Sequence, residues 1–152
     1  MNIFVLDSNP VYAAKYHCDS HVIKMILESA QMMCTVLNEQ GFETPYKSTH
    51  KNHPCTIWLR ESIDNWYWLY QLAEELNKQY KLRYQKFSNH KSFDVIRKLP
   101  TPNLPKIGLT PFAQAMPDEY RSEDAVKAYR KYYVDGKKHL LKYRTGVEPV
   151  WL

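Results

Sequence analysis

The sequence has 152 residues, of which 44% are hydrophobic and 24% charged, and this is the size and composition of one globular domain with a single core. No apolar run approaches the ~20 residues of a membrane helix, and the N-terminus lacks a signal-peptide pattern, so we expect a cytoplasmic protein with no membrane partner. Residues 1–75 carry 5 Lys and Arg against 9 Asp and Glu (net −4), whereas residues 76–152 carry 16 against 7 (net +9), which predicts a basic surface for a polyanion.

The first part of the chain predicts a short strand or extended segment followed by two helices. The apolar run Ile3–Leu6 is the strand candidate. Asn9 can cap a helix whose first turn contains Pro10. A longer helix follows, broken or capped again at Asp19 and ending near Gly41.

The middle of the chain predicts a polar loop over residues 42–53 and then more helix from Pro54. Apolar side chains recur every three or four residues through a helix of about six turns, which we expect to be the second main element of the core. These residues are Trp66, Leu69, Ala73, Leu76, Tyr80, Tyr84 and Phe87.

The last part predicts a shorter helix over residues 93–98 and then an extended crossing over residues 101–117, which contain four of the nine prolines. A final helix is predicted to start at Ser122 and run towards Gly136. The sequence therefore predicts a compact, mainly α-helical single domain over residues 1–152.

Polar side chains on the long helix lie on one narrow stripe when a helix is drawn from residue 17. The other positions are almost all apolar, so we expect this helix to be buried on most sides with its polar stripe facing a cleft. The stripe consists of His17, His21, Lys24, Glu28, Gln31, Thr35 and Asn38.

Two residues of this stripe predict catalytic chemistry. Lys24 and Glu28 are spaced i, i+4 and therefore contact each other across one turn. An amine beside a carboxylate in a cleft can serve as a nucleophile with a proton shuttle. The alternative is an ordinary surface salt bridge.

The loop from Tyr46 to Pro54 is dense in hydrogen-bond donors and precedes a helix start, which favours binding of phosphate or nucleotide. Arg60 lies about two turns into that helix. The alternative is that Asn52 or His53 only caps the helix. The candidate phosphate-binding residues are Lys47, His50, Lys51, Asn52, His53 and Arg60.

The histidines and cysteines do not form a recognisable metal motif. His17 and His21 are spaced i, i+4 without the intervening glutamate of a metalloprotease helix, and the three cysteines include no CxxC pair. We expect no metal and no cofactor.

Longer segments carry a resemblance to known families. The segments MNIFVLDSNPVYAAKYHCDSHVIKMILESAQMMCT and YKSTHKNHPCTIWLRES, with NWYWLY behind them, resemble a family of small bacteriophage proteins over most of the chain. The order of N-terminal segment, helix, Tyr-x-x-x-His-x-x-His-Pro loop and long helix is similar to pyrimidine-dimer DNA glycosylases. That similarity implies an N-terminal α-amine nucleophile, exposed by removal of Met before a small residue, and a supporting glutamate, here Glu28. Asn2 departs from the pattern because its size hinders removal of Met1.

These observations favour a phage enzyme that acts on a nucleobase of DNA by glycosylase or lyase chemistry. Lys24 would form the imine or hold a phosphate, Glu28 would transfer protons, and His21 and Asp7 would orient them. The Tyr46–Pro54 loop would contact the DNA backbone. Two alternatives remain open: a transferase or hydrolase of a nucleotide or modified base, and a nucleic-acid-binding protein without catalysis.

Overall fold

The computed structural model describes residues 1–144 and 148–152. Within these ranges the chain is 54% helical, with six α-helices and no strand, which confirms the predicted mainly α-helical class. A π-helical turn over Tyr132–Gly136 directly continues the last helix. The α-helices are α1 (Pro10–Tyr16), α2 (Asp19–Glu39), α3 (Pro54–Glu61), α4 (Ile63–Arg83), α5 (Lys91–Ile96) and α6 (Ala125–Lys131).

Local capping signals explain where several helices begin and end. The side chain of Asn9 accepts a hydrogen bond from the amide of Val11 at 2.9 Å, and Pro10 occupies the first position of α1. Helix α2 ends two residues before Gly41, whose φ of +88° is the left-handed conformation that favours glycine. The predicted boundaries at these positions are confirmed.

The two 21-residue helices α2 and α4 pack against each other and form the centre of the core. Helix α1 packs on α4, whereas α3 and α5 both contact α2. The side chains at the centre are completely buried and mostly aliphatic or methionine, as expected for a close-packed interior. They include Ile26, Met32, Met33 and Leu37 of α2 and Leu69, Leu72 and Leu76 of α4.

The N-terminal segment Ile3–Leu6 is buried, but it pairs with no strand among the described residues. Side chains satisfy part of its backbone instead. The guanidinium of Arg130 donates to the carbonyl of Leu6 at 2.8 Å, and the imidazole of His17 lies 3.3 Å from the carbonyl of Ile3. The segment therefore forms no strand, and it is not extended throughout, because Phe4 has a φ of +59° and the amide of Leu6 donates to the carbonyl of Phe4 at 2.9 Å.

Three further predictions about the elements need correction. His17 does not belong to the long helix, because it caps the C-terminus of α1 and the chain turns at Cys18 before α2 begins. Phe87 is fully exposed, since α4 already ends at Arg83. The last helix begins at Ala125 rather than Ser122, because the carboxylate of Asp124 accepts the amide of Lys127 and so forms the N-cap.

The crossing between α5 and the C-terminal part contains no helix or strand from residue 99 to residue 117, as predicted. The carbonyl of Thr110 accepts a hydrogen bond from Trp58 at 3.3 Å, and its amide donates to Asn65 at 3.0 Å. These bonds fix the crossing against α3 and α4 and bring its second half to the N-terminus. None of the helices within residues 1–144 and 148–152 combines the length and apolarity of a membrane span.

Candidate functional site

A polar pocket of about 450 Å³ lies where the N-terminus of the chain meets the C-terminal helical region, which consists of α6 and the π-helical turn that follows it. Its walls come from residues 1–4, from α2, from the start of α3, from the end of the crossing, and from the segment after α6. The volume is in the range of small-molecule sites in proteins. Five distant parts of the chain therefore build one cavity.

The carboxylate of Glu28 lies in this pocket, with its side chain only 9% exposed. One oxygen, Oε1, accepts the amide of Asn2 at 2.8 Å and lies 3.4 Å from the amino nitrogen of Met1. The other oxygen, Oε2, lies 4.0 Å from Nζ of Lys24. The predicted contact between Lys24 and Glu28 is thus present, and a second amine approaches the same carboxylate.

The two amines differ in their surroundings. The side chain of Lys24 is 67% exposed at the edge of the pocket. The side chain of Met1 is only 3% exposed although the residue as a whole is half-buried, so its exposed part is the backbone end that carries the amino group. Both residues line the pocket.

His21 lines the pocket next to these groups. Its Nδ1 is hydrogen-bonded to the hydroxyl of Tyr133 at 2.7 Å, and its ring stacks on Phe4 with 4.4 Å between centroids. Burial, followed by the positive charges of neighbouring groups, lowers the pKa of His21 to about 3. The imidazole is therefore neutral near pH 7.

Asn2 connects the site to the C-terminal helical region. Its Oδ1 accepts from the amides of Ile3 and Phe4 at 2.8 and 3.3 Å and from the hydroxyl of Tyr129 at 2.9 Å. Its Nδ2 donates to the carbonyl of Ala115 at 2.8 Å. This role of Asn2 is not predicted from the sequence, because its partners Ala115 and Tyr129 lie 113 and 127 residues away in the chain.

The π-helical turn supplies a further wall of the pocket. It places the ring of Tyr132 at the cavity and brings Nζ of Lys137 within 5.2 Å of that ring. Neither residue is among the site residues predicted from the sequence. Their signal is the spacing of Tyr129, Tyr132, Tyr133 and Lys137, which is i, i+3, i+4 and i+8 and therefore lies on one helical face.

His53 is the one residue of the predicted phosphate-binding set that lines this pocket. Its Nδ1 accepts the amide of Cys55 at 3.1 Å, so it also caps α3. Burial and the nearby amino group of Met1 lower the pKa of His53. The capping role and the position at the pocket thus coexist in one side chain.

The other predicted residues lie outside the pocket. Asp7 forms an ion pair with Arg130 at 2.9 Å and does not face His21. The guanidinium of Arg60 binds the carboxylate of Glu39 at 2.8 Å and the carbonyl of Lys51. The remaining members of the loop set are exposed on the surface: Lys47, His50, Lys51 and Asn52. Their roles in DNA contact stay predictions.

The pocket carries more positive than negative groups. The amino group of Met1, Lys24, Arg121 and Lys137 surround a single carboxylate, that of Glu28. Such a lining attracts an anionic ligand. No cluster of three or more metal-ligating side chains occurs in residues 1–144 and 148–152.

Comparisons with models of protein families, with curated proteins and with solved structures gave no match to this chain.

Proposed function

We propose that this protein is a DNA-acting enzyme that processes a nucleobase by glycosylase or lyase chemistry, with an amine beside Glu28 as the nucleophile. One observation carries the proposal: two amino nitrogens lie 3.4 and 4.0 Å from a nearly buried carboxylate inside a basic pocket. Lys24 is the nucleophile we predict from the sequence. The amino group of Met1 is the second nitrogen in position.

The chemistry requires a neutral amine and a proton acceptor. The carboxylate of Glu28 takes a proton from the ammonium group, and the amine lone pair then forms a bond to C1′ of the sugar while the bond from C1′ to the base breaks. Glu28 then gives this proton to the departing base, and the proton that the adduct nitrogen loses next passes to O4′ as the bond from C1′ to O4′ breaks. Opening of the sugar ring gives an imine, whose positive charge in the protonated form the Glu28 carboxylate stabilises.

The size and charge of the pocket support a base and its phosphate as ligand. A base in a duplex must leave the stack before its sugar is accessible to an enzyme. A cavity of about 450 Å³ accommodates one extruded nucleotide. Arg121 and Lys137 supply positive charge for the adjacent phosphate.

Borohydride trapping tests the proposal. Incubation with abasic or ultraviolet-damaged DNA and borohydride should give a covalent protein–DNA adduct, because reduction fixes the imine. Glu28→Gln should lower the yield by ~100-fold or more, the size of a typical general acid–base contribution. Lys24→Arg keeps the charge but forms no imine, so it should abolish trapping if Lys24 is the nucleophile.

Lys78→Arg is the matched control for Lys24→Arg. Lys78 is 63% exposed and pairs with Glu75 on α4, outside the pocket, so this variant should trap like the wild type. Trapping that survives Lys24→Arg assigns the nucleophile to another amine, and mass spectrometry of the adduct peptide identifies it. N-terminal sequencing of the purified protein shows whether Met1 is its first residue.

Absence of trapping with every DNA substrate would refute the glycosylase or lyase proposal. The same basic pocket then favours the alternative, an enzyme that modifies a nucleotide or a modified base. Product analysis with free nucleotide against polymeric DNA separates these two. DNA affinity that stays flat between 50 and 200 mM salt would exclude the polymer, since phosphate contacts release counterions.

A further inference from the structure

Asn2 has every polar group of its side chain engaged and is 8% exposed. Its Oδ1 accepts from two backbone amides and from Tyr129, and its Nδ2 donates to Ala115 at 2.8 Å. The amide group fits these contacts because its oxygen accepts while its separate nitrogen donates. Asp in its place would lack the donor to Ala115.

The hydrogen bonds of Asn2 stabilise an unusual turn of the backbone. Phe4 has φ of +59°, in the left-handed region that a bulky residue rarely adopts. The amides of Ile3 and Phe4 both donate to Oδ1 of Asn2, which holds this turn closed. Strain of this kind persists only where surrounding contacts enforce it, and it is concentrated at functional sites.

The turn determines the geometry at the carboxylate. It directs the backbone amide of Asn2 at Oε1 of Glu28, 2.8 Å away, and it places the ring of Phe4 against His21. Oε1 is thereby bound to the main chain, whereas Oε2 stays on the side of Lys24. The position of the carboxylate relative to both amines thus depends on where Asn2 is held.

We infer that Asn2 is a positioning residue that sets Glu28 and the neighbouring amines in reactive geometry, and that the hydroxyl of Tyr129 anchors it. The inference rests on the proposed function, because the reaction gives the geometry its purpose. Tyr129 is completely buried in the C-terminal helical region, so its ring is a fixed support. Its hydroxyl also accepts the amide of Ala115 and lies 3.0 Å from the carbonyl of Ala113, which ties the crossing to the same point.

Two substitutions test this inference. Tyr129→Phe removes the hydroxyl and keeps the ring, whereas Asn2→Asp keeps the size of residue 2 and removes the donor to Ala115. Each should slow single-turnover trapping at saturating DNA by ~10- to 100-fold, since a displacement of about 1 Å costs that much. The dissociation constant for DNA should change less than twofold in Tyr129→Phe, because Tyr129 does not line the pocket and the substitution adds no charge.

Tyr143→Phe is the matched control. The hydroxyl of Tyr143 donates to the carbonyl of Tyr16 at 2.6 Å, outside the pocket, so this variant loses a comparable hydrogen bond without reaching Asn2. It should trap at the wild-type rate. A wild-type rate in Tyr129→Phe and Asn2→Asp, measured on folded protein, would overturn the inference.

Amide hydrogen exchange measured by NMR tests, independently of catalysis, whether Tyr129 holds Asn2 in place. The amides of Ile3 and Phe4 should exchange at least tenfold faster in Tyr129→Phe than in wild type or Tyr143→Phe, and unchanged exchange overturns the inference. If the wild type gives no trapping, the proposed function fails. Faster amide exchange in Tyr129→Phe, confined to residues 2–4, would then still support the positioning of Glu28 by the backbone amide of Asn2.

Discussion

Gly136 allows a direct test of how the π-helical turn builds the pocket. A Cβ added at Gly136 would lie 2.7 and 2.8 Å from Cδ1 and Cε1 of Tyr132. Carbon atoms in contact prefer about 3.5 to 4.0 Å, so Gly136→Ala forces the ring to move by about 1 Å. The ring has neighbours on other sides, with Tyr120 at 5.2 Å and Phe4 at 6.1 Å between centroids.

Two opposing effects determine the free energy of unfolding of Gly136→Ala. Alanine in place of glycine stabilises a helical position by about 1 kcal/mol, whereas overpacking costs about 1–3 kcal/mol. We expect a net loss of about 1 kcal/mol, or a fall in Tm of roughly 2–4 °C for a chain of this size. In a Tyr132→Ala background the clash is absent, so the same substitution should be neutral or stabilising.

Urea denaturation of the wild type, both single variants and the double variant measures this coupling. Residues in direct contact give non-additive free energies, and here the interaction term should be about 2 kcal/mol. If Gly136→Ala changes the free energy of unfolding equally with and without the Tyr132 ring, the contact between residue 136 and this ring does not determine the effect of the substitution. The reasoning would then be wrong.

Two predictions concern the stability of the elements that carry the site. Arg83→Met removes buried donors to the carbonyls of His17 and Lys15, at 2.6 and 2.9 Å, and one of the ion-pair partners of Asp19. Thermal denaturation should therefore show a loss of about 3–5 kcal/mol, and a loss below about 1 kcal/mol contradicts this. Burial lowers the pKa of His17 to about 4 and that of His21 to about 3 in the folded protein. In the unfolded chain both histidines have the ordinary pKa of about 6.5, so between that pH and about 4 the unfolded chain binds protons that the folded protein does not. The free energy of unfolding, measured with urea, should therefore be highest above pH 6.5 and fall as the pH drops towards 4, by up to about 1.4 kcal/mol per pH unit for each histidine. His21→Gln should make this fall with pH less steep. An unchanged urea midpoint between pH 7 and pH 5 would contradict the prediction.

Local signals in the sequence predicted most of the helix boundaries. Asn9, Gly41 and Pro54 act through their own backbone or side chain within one turn, so their effect is visible in the sequence alone. The polar stripe predicted for α2 includes His17, which precedes the helix, because the spacing of polar residues does not reveal a turn between two helices. Phe87 follows the spacing of α4 but lies beyond its end.

The site was predicted in part for a similar reason. Lys24 and Glu28 are neighbours on one helix, so their contact follows from spacing, and their catalytic roles stay predictions. Asn2 and Tyr129 are 127 residues apart in the chain. Contacts of that separation depend on the whole fold, and a single sequence contains no local pattern that predicts them.

The distance along the chain between the parts of the pocket also orders events during synthesis. Glu28 leaves the ribosome early, but the pocket contains Lys137, which is made 109 residues later. At ordinary rates of translation this delay is roughly 5 to 20 seconds. During that time α2 can already fold, but Asn2 has no tyrosine to bind and the carboxylate has no fixed partner. A nascent chain therefore has no assembled pocket, and whatever reactivity the pocket has begins only after the C-terminal helical region folds onto the N-terminus.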